Sequence, residues 1–298
     1  MSKVIYLAIV GMPNAGKSTL LNTLVGEKIA AVSPKAQTTR TRITGVLTRE
    51  DTQYVFLDTP GLLQAKNLLG EQMQKQIRSS LADVDCVLMV TESKGRIRSA
   101  ELALIRQLKN QGLPVILLIN KCDAVKKAEI LPSIAAFSEA FDFEAIIPIS
   151  AKTGEGIDEL FDELQPLLNE APFLFDEDTL TDQSERSIAA EFVREKLLNA
   201  LNEEIPHGLA VVVERFSDER GHLLHIDAVI YCEKQSHKGI VIGKGGALLK
   251  RVGTQARADL EAFFGCKVDL SLWVRVKENW RDNPALIADF GLKEDSDQ

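Results

Sequence analysis

The chain has 298 residues, 45% hydrophobic and 26% charged, which is ordinary globular usage with material for one or two cores. A formal net charge of −8 excludes a global basic field, so any nucleic-acid site has to be a local patch. No secretory signal precedes Val4 and the longest apolar runs are strand-sized, so the expectation is a cytosolic chain without a membrane span.

Lys3–Val10 reads as a buried strand and Ser18–Val25 as the helix that follows. Between them Gly11, Met12, Pro13, Asn14, Ala15, Gly16, Lys17 and Ser18 spell G-x-x-x-x-G-K-S, the phosphate-binding loop, in its required strand–loop–helix setting. The glycines let the backbone curl close to a polyphosphate, and the loop N–H groups and the helix start, with Thr19, face anionic oxygens. In this pattern Lys17 reaches the β- and γ-phosphates and the Ser18 hydroxyl holds Mg²⁺.

Further apolar runs at Ile43–Thr48, Tyr54–Asp58, Cys86–Thr91, Val115–Asn120 and Ala145–Ile149 read as strands. Helical patterns at Leu68–Leu81, Ala100–Gln111, Leu131–Phe141 and Ile157–Leu168 lie among them. Alternation of this kind predicts an α/β domain with a mainly parallel sheet, whose ligands bind at the carboxyl ends of the strands. The motifs fall at those ends. Asp58-Thr59-Pro60-Gly61 follows Tyr54–Leu57, where a carboxylate can hold Mg²⁺ and the Gly61 N–H can meet a γ-phosphate. Asn120-Lys121-Cys122-Asp123 follows Val115–Ile119, and a carboxylate at Asp123 can accept from both N–H groups of guanine, which adenine does not offer. Ser150-Ala151-Lys152 follows Ala145–Ile149 and would support the base through backbone N–H groups. In the polar connection Gly26–Thr41, either Thr38 or Thr39 could complete the Mg²⁺ shell, with Thr39 preferred. Lys17, Thr39, Asp58 and Gly61 are thus assigned to the reacting end, with Ser18, Thr39 and Asp58 as metal ligands.

Asn169–Gln183 breaks the alternation with a proline and an acidic run and reads as a linker, with Phe173, Leu174 and Phe175 expected to dock on a domain. Ser184–Leu201 has the spacing of an amphipathic helix through Ile188, Phe192, Val193, Leu197 and Leu201, with Ser184 as N-cap and Ser187 as the second choice. Two strands, Leu209–Phe216 and Leu223–Cys232, form a hairpin through Ser217–His222. A short helical turn at Ser236–Ile240, a long helix Gly246–Phe264 and a last strand Val268–Val276 follow. Between the two helices lies Gly243-Lys244-Gly245-Gly246, a G-x-x-G loop that lets the chain approach a nucleic-acid backbone. Ile242 and Leu249 could line an apolar groove for bases. Lys234, Lys238, Lys244, Lys250 and Arg251 make a local basic cluster. Trp273 and Trp280 read as packing residues, since Trp273 sits in an apolar strand pattern. Cys86, Cys122, Cys232 and Cys266 stand apart as thiols of a reducing compartment, and His222 and His225 lack the second ligand pair that zinc needs. The acidic tail Lys293–Gln298 has the composition of a disordered segment.

The five elements of the first half, in this order and spacing, resemble the translation-factor-like branch of small GTPases. Within it, G-x-P-N-x-G-K-S, Q-T-T-R, D-T-P-G, N-K-x-D and S-A-K resemble the Era family, and the second half resembles a KH type II domain. The resemblance implies an α/β P-loop GTPase domain (3–170), a linker (171–183), a smaller α+β KH type II domain (184–280) and a C-terminal extension (281–298). It implies hydrolysis of GTP to GDP, Mg²⁺ as cofactor, binding to the 3′ region of 16S ribosomal RNA and assistance to small ribosomal subunit maturation. It also implies a cytoplasmic monomer with peripheral contact to the cytoplasmic face of the inner membrane. One residue departs from the Ras-like pattern: Leu62 stands where a glutamine orients the attacking water. Hydrolysis is then slow, or the water is placed by backbone, another loop or a partner. Several relatives of this family with asparagine at the position of Asn14 bind a monovalent cation, so the resemblance implies that Asn14 either helps hold K⁺ or simply shapes the loop. Two rival readings stay open, an RNA chaperone that hardly hydrolyses its nucleotide and an ATP-dependent enzyme.

Overall fold

The computed structural model describes residues 2–35, 37–62, 65–93, 96–219 and 223–293. His222 and tail residues 294–298, with the expectations placed on them, lie outside the described residues. The chain divides into two compact units. The first takes in the described residues of Met1–Ile29, Thr39–Gln64 and Met73–Asp182, the second those of Ala30–Thr38, Ala65–Gln72 and Gln183–Gln298.

The first unit runs β1 (Lys3–Gly11), α1 (Lys17–Val25), β2 (Ile43–Arg49), β3 (Thr52–Asp58), the part of α2 (Leu68–Ser79) from Met73 onward, β4 (Cys86–Glu92) and α3 (Ser99–Gln111). It continues with β5 (Val115–Asn120), α4 (Lys127–Ala140), β6 (Ala145–Pro148), α5 (Ile157–Leu164) and the two-residue β7 (Asn169–Glu170). Strand order is β2-β3-β1-β4-β5-β6, with β7 antiparallel to the start of β1. The pairs β1–β3, β1–β4, β4–β5 and β5–β6 are parallel, and the β2–β3 hairpin is antiparallel. The cause is in the side chains: Leu7–Val10, Cys86–Val90 and Val115–Ile119 are at most 1% exposed at every position. Strands apolar on both faces need cover on both faces, which crossover helices provide.

Helix boundaries differ from the sequence expectation where proline sits. Leu131–Phe141 puts Pro132 in a first turn, where a missing N–H costs nothing. Instead α4 begins at Lys127 and carries Pro132 inside, with Ile130, Ser133 and Phe137 as its buried face and Leu131 exposed. Tertiary burial of that face outweighs one lost backbone bond. Helix α5 stops at Leu164 and tightens into a 3₁₀ turn, Gln165–Leu167, because Pro166 cannot donate to the α-helical ladder.

The segment expected as a linker is strapped to this unit. Leu174 and Phe175 donate their N–H groups to the Gln53 Oε1 at 2.9 and 3.1 Å, and Gln53 Nε2 donates to the Phe175 carbonyl at 3.0 Å. Val46 N–H reaches the Leu180 carbonyl at 2.8 Å. Phe175 packs on the apolar core, whereas Leu174 stays 53% exposed.

The second unit contains α6 (Glu185–Ala200), β8 (Ala210–Glu219), β9 (Leu223–Cys232), α7 (Gln235–Ile242), α8 (Ala247–Phe264), β10 (Lys267–Val276) and α9 (Pro284–Asp289). Its sheet has the order β10-β9-β8, with β10 parallel and β8 antiparallel to β9. Ser184 caps α6 by accepting from the Ser187 N–H at 3.2 Å. Ile188, Phe192, Val193, Leu197 and Leu201 are all buried, as the spacing predicts. Arg194 and Glu195 are buried too, which no apolar spacing foretells. Glu195 accepts from the Val32 N–H at 2.9 Å and Arg194 donates to the Thr38 carbonyl, so these charges tie Ala30–Thr38 into the unit.

The two tryptophans part company. Trp280 is fully buried and donates Nε1–H to the Gly208 carbonyl at 3.0 Å. Trp273 is 46% exposed, contrary to the packing expectation. Val268, Leu270, Leu272, Val274 and Val276 of β10 take the core face, and strand alternation turns Trp273 to the other. The C-terminal segment folds onto this unit: Phe290 stacks on Tyr231 at 4.6 Å, and Arg281 pairs with Glu233.

Candidate functional site

The carboxyl ends of β1, β3, β5 and β6 bring the motifs of the first unit together. Gly16 carries φ +100°, and a Cβ there would stand 2.2 Å from Asn120 Nδ2, so the loop needs glycine on both conformational and steric grounds. Helix α1 opens directly behind it with no side-chain cap. Its first N–H groups are therefore available to an anion. Met12, Pro13 and Gly16 are half-buried, Ala15 is buried and Asn14 is exposed in a left-handed conformation, φ 64°. Gly61 lies over Pro13, where a Cβ would meet Pro13 Cα at 2.9 Å, and the Leu62 N–H donates to the Gly11 carbonyl at 3.3 Å.

Lys17 is buried and its ammonium donates to the carbonyls of Gly11 and Met12 at 3.3 and 3.2 Å. Burial pulls its pKa down, and the Asp58 charge opposes that pull. Asp58 is wholly buried; burial pushes its carboxyl up to about 6 against the attraction of Lys17 and the hydrogen bonds of Ser18 and Thr39. Ser18 Oγ donates to Asp58 Oδ2 at 2.7 Å, and Thr39 Oγ1 lies 2.7 Å from Ser18 Oγ and 3.3 Å from Asp58 Oδ2. Thr38, the other candidate, turns its hydroxyl to the Lys35 carbonyl at 2.7 Å. Thr59 is buried and spends its hydroxyl on the Ile9 carbonyl at 2.9 Å, so it fastens the turn to β1 rather than facing a phosphate; Pro60 beside it is buried as well. Leu62 packs against the apolar core and has no group to hold a water.

At the other end, Asn120 is buried and joins the two loops. Its Nδ2 donates to the Ala15 carbonyl at 2.8 Å, and its Oδ1 accepts from the N–H groups of Lys121 and Ala151 at 2.8 and 2.9 Å. The Ala151 N–H, expected to support a base directly, is thus engaged by Asn120. Ser150 does more than its backbone suggested: fully buried, it donates Oγ–H to Asp123 Oδ1 at 2.8 Å and fixes the carboxylate expected to read guanine. Lys152 is exposed. Glu92 was not singled out from sequence, yet it pairs with Lys121. Its signal was a charge ending the apolar strand Cys86–Glu92.

In the second unit α7 ends at Ile242, and Gly243 (φ 75°, ψ 172°) takes a conformation that side-chain-bearing residues avoid. A Cβ at Gly243 would also fall 2.8 Å from the Leu248 Cβ. Lys244 and Gly245 are exposed, Gly246 is half-buried, and α8 starts without a side-chain cap. Lys234, Lys250 and Arg251 are exposed and Lys238 half-exposed. Ile242 and Leu249 lean on the core of the unit and offer a groove only their outer edges. Ile240, 49% exposed and passed over in the sequence, presents more apolar surface.

A mainly parallel sheet with a phosphate loop, a buried Asn120 joining that loop to the N-K-x-D loop and, in a second unit, an α/β fold with a G-x-x-G loop define the class of a P-loop nucleotide-binding protein with a nucleic-acid-binding module. Comparison with known proteins agrees. Residues 6–121 match the family model described as 50S ribosome-binding GTPase, and residues 204–281 match that of the KH domain. The GTPase Era of Caldicellulosiruptor saccharolyticus is 47% identical over 293 residues, covering 97% of this chain and 98% of the relative. That of Ruminiclostridium cellulolyticum is 44% identical over 288 residues and 97% of both chains. Among solved structures, Era in complex with MgGDPNP and nucleotides 1506–1542 of 16S ribosomal RNA matches at TM-score 0.95 and 38% identity, over 99% of this chain and 100% of that one. An Aquifex aeolicus Era variant bound to GDP and AlF4⁻ matches at TM-score 0.94 and 38% identity, over 98% and 100%. The chain belongs to the Era family of GTPases, with a GTPase domain followed by a KH domain, and it hydrolyses GTP to GDP and phosphate.

Proposed function

We propose that this GTPase binds the 3′ region of small-subunit ribosomal RNA through its KH domain and uses its nucleotide cycle to assist small-subunit maturation. The observation that carries the reading is the Gly243–Gly246 loop, exposed at Lys244 and Gly245, with exposed Lys234, Lys250 and Arg251 near it in sequence, in a chain whose net charge is −8. A relative of the same architecture has been solved with a 16S RNA fragment. We take the domains as 3–170, 171–183, 184–280 and 281–298, with the third as the RNA-binding part. The family resemblance supports a cytoplasmic monomer with peripheral membrane contact; no described helix is long and apolar enough to cross a membrane.

Mg²⁺ fits the residues at the reacting end. Asp58 Oδ1 is buried without a hydrogen-bond partner, and its charge is costly there unless a cation faces it. Ser18 and Thr39 would bind the ion directly and Asp58 would support it, the usual role of a hydroxyl pair and a strand-tip carboxylate in this chemistry. When bound, the ion neutralises charge on the β- and γ-phosphate oxygens. Lys17 holds the same phosphates against the loop, and the N–H groups at the start of α1 and at Gly61 orient them for in-line attack by water. Asn120 and Asp123 choose guanine. Nothing in the site calls for a covalent nucleophile, since positioning and charge suffice for phosphoryl transfer.

Leu62 leaves the attacking water without a side-chain partner at the glutamine position, so basal turnover is expected to be slow. Asn14, exposed at the rim of the phosphate loop, is in place to help bind K⁺, which would add positive charge where other systems use an arginine finger. Turnover in KCl should exceed that in NaCl by about tenfold or more, within the range one such stabilising group supplies. Equal rates would leave Asn14 as a loop-shaping residue.

The reading as a whole is tested by phosphate release from GTP with and without a single-stranded RNA from the small-subunit 3′ end. RNA should raise the rate severalfold. Gly243→Asp should remove both the rise and RNA binding, because its Cβ collides with Leu248 and its carboxylate repels phosphate. Tight RNA binding with a flat rate would make the protein a nucleotide-loaded RNA chaperone whose hydrolysis a partner triggers.

A further inference from the structure

Glu92 lies at the tip of β4, opposite Asn120 in the β4–β5 register, so its side chain emerges beside the start of the guanine-reading loop. Its Oε1 pairs with the Lys121 ammonium, and the same ammonium donates to the Asn14 carbonyl at 2.7 Å. Lys121 and Asn14 both adopt left-handed backbone conformations, φ 66° and 64°. The lysine stem therefore spans from the base-reading loop to the apex of the phosphate loop, alongside the Asn120–Ala15 bond that joins the same two loops. Asp123 stands two residues on in the same loop, so the four methylene groups of the stem border the site assigned to the base.

A lysine that is 45% exposed would ordinarily sample many rotamers. Here the carboxylate that holds it is itself supported. The Glu92 side chain is 17% exposed, and Arg98 also reaches it at 3.4 Å. The Arg98 N–H donates to Glu101 at 2.8 Å, and buried Thr91, next to Glu92 on β4, donates to the other Glu101 oxygen at 2.6 Å. Strand tip, loop and helix start are thus tied around one carboxylate.

We infer that Glu92 is a positioning residue of the guanine site: acting through Lys121, it holds the stem across the base and sets how long the nucleotide stays bound. The inference rests on the assignment of Asn120, Lys121 and Asp123 to guanine. Glu92 pairs with Lys121, and its effect passes through the lysine.

The test is a double-mutant cycle read by stopped-flow dissociation of a fluorescent GDP from the full-length protein in Mg²⁺ buffer. Glu92→Gln and Lys121→Gln should each speed dissociation about tenfold, and the double variant should be no faster than Lys121→Gln alone. Association rates should stay within about twofold, because loosening a bound state acts mainly on departure. Glu92→Asp, which keeps the charge on a shorter stem, should fall between wild type and Glu92→Gln and gives a second reading should the glutamine variant fold poorly. A Glu92→Gln rate equal to wild type, or fully multiplicative effects in the double variant, would overturn the inference. A wild-type rate in Lys121→Gln would instead remove the guanine-site assignment beneath it.

Discussion

Asp123→Asn should turn the protein from guanine towards xanthine nucleotides. The carboxylate accepts two N–H bonds from guanine; an asparagine there offers one acceptor and one donor, which suits the C2 carbonyl of xanthine and leaves a guanine donor unpaired. The geometry survives the change, because Ser150 Oγ, 2.8 Å from Asp123 Oδ1, can still donate to the amide oxygen. A site built to pair a polar group discriminates by about 10⁴ against the analogue that cannot pair, so GTP affinity should fall by two or more orders of magnitude while XTP affinity rises. Competition of GTP and XTP for a fluorescent nucleotide measures both. Retained GTP preference would sink the assignment of guanine reading to Asp123.

The second large effect concerns stability. Burial raises the Asp58 carboxyl from its ordinary value, 3.8, to about 6. Between those values the folded protein holds a proton that the unfolded chain has already released. Stability from this group is therefore lost as pH rises through that window, and the loss is complete above about pH 6. A shift of about two units corresponds to about 3 kcal/mol. Asp58→Asn resembles the protonated acid, so without nucleotide or Mg²⁺ the variant should be the more stable protein at pH 7.5, by up to about 3 kcal/mol. The gap should close as pH falls towards 4. Urea unfolding of both proteins across pH 4–8 measures it. Adding Mg²⁺ and GDP should reverse the order, since an ion compensates the wild-type charge and has no carboxylate to meet in the variant. An equal response of both proteins to Mg²⁺ would remove Asp58 from the metal site. Strain of this kind is expected where a site keeps a charge in readiness for its ligand.

Much of this protein is legible in local sequence. Gly11–Ser18, Asp58–Gly61, Asn120–Asp123 and Ser150–Lys152 are contiguous, and each sits at a strand end that an apolar run announces. The parallel sheet follows from the same runs, because a strand apolar at every position has to be covered on both faces. Gly243–Gly246 between two helices is likewise a local pattern. So is Ser184, a cap one residue ahead of its helix.

Other features needed the chain to fold, because their partners are remote. The sequence offers both Thr38 and Thr39, with Thr39 only preferred; the approach of β3 and α1 is what sets Thr39, not Thr38, beside Ser18 and Asp58. Thr59 and Ile242 carry suitable chemistry for the sites assigned to them, but packing turns the first to the Ile9 carbonyl and leans the second on a core. Trp273 has the pattern of a core residue, and strand register exposes it. The buried charges Arg194 and Glu195 interrupt no spacing rule; besides their neighbours Glu191 and Lys196 they bind segment Ala30–Thr38, over 150 residues earlier in the chain. Glu92 acquires a meaning only when β4 and β5 lie side by side. Identity and class of chemistry were thus set by residues close in sequence, whose spacing a short strand or turn preserves. Which of two neighbours faces the ligand, and which charge steadies it, was decided by contacts between distant segments, which no local pattern encodes.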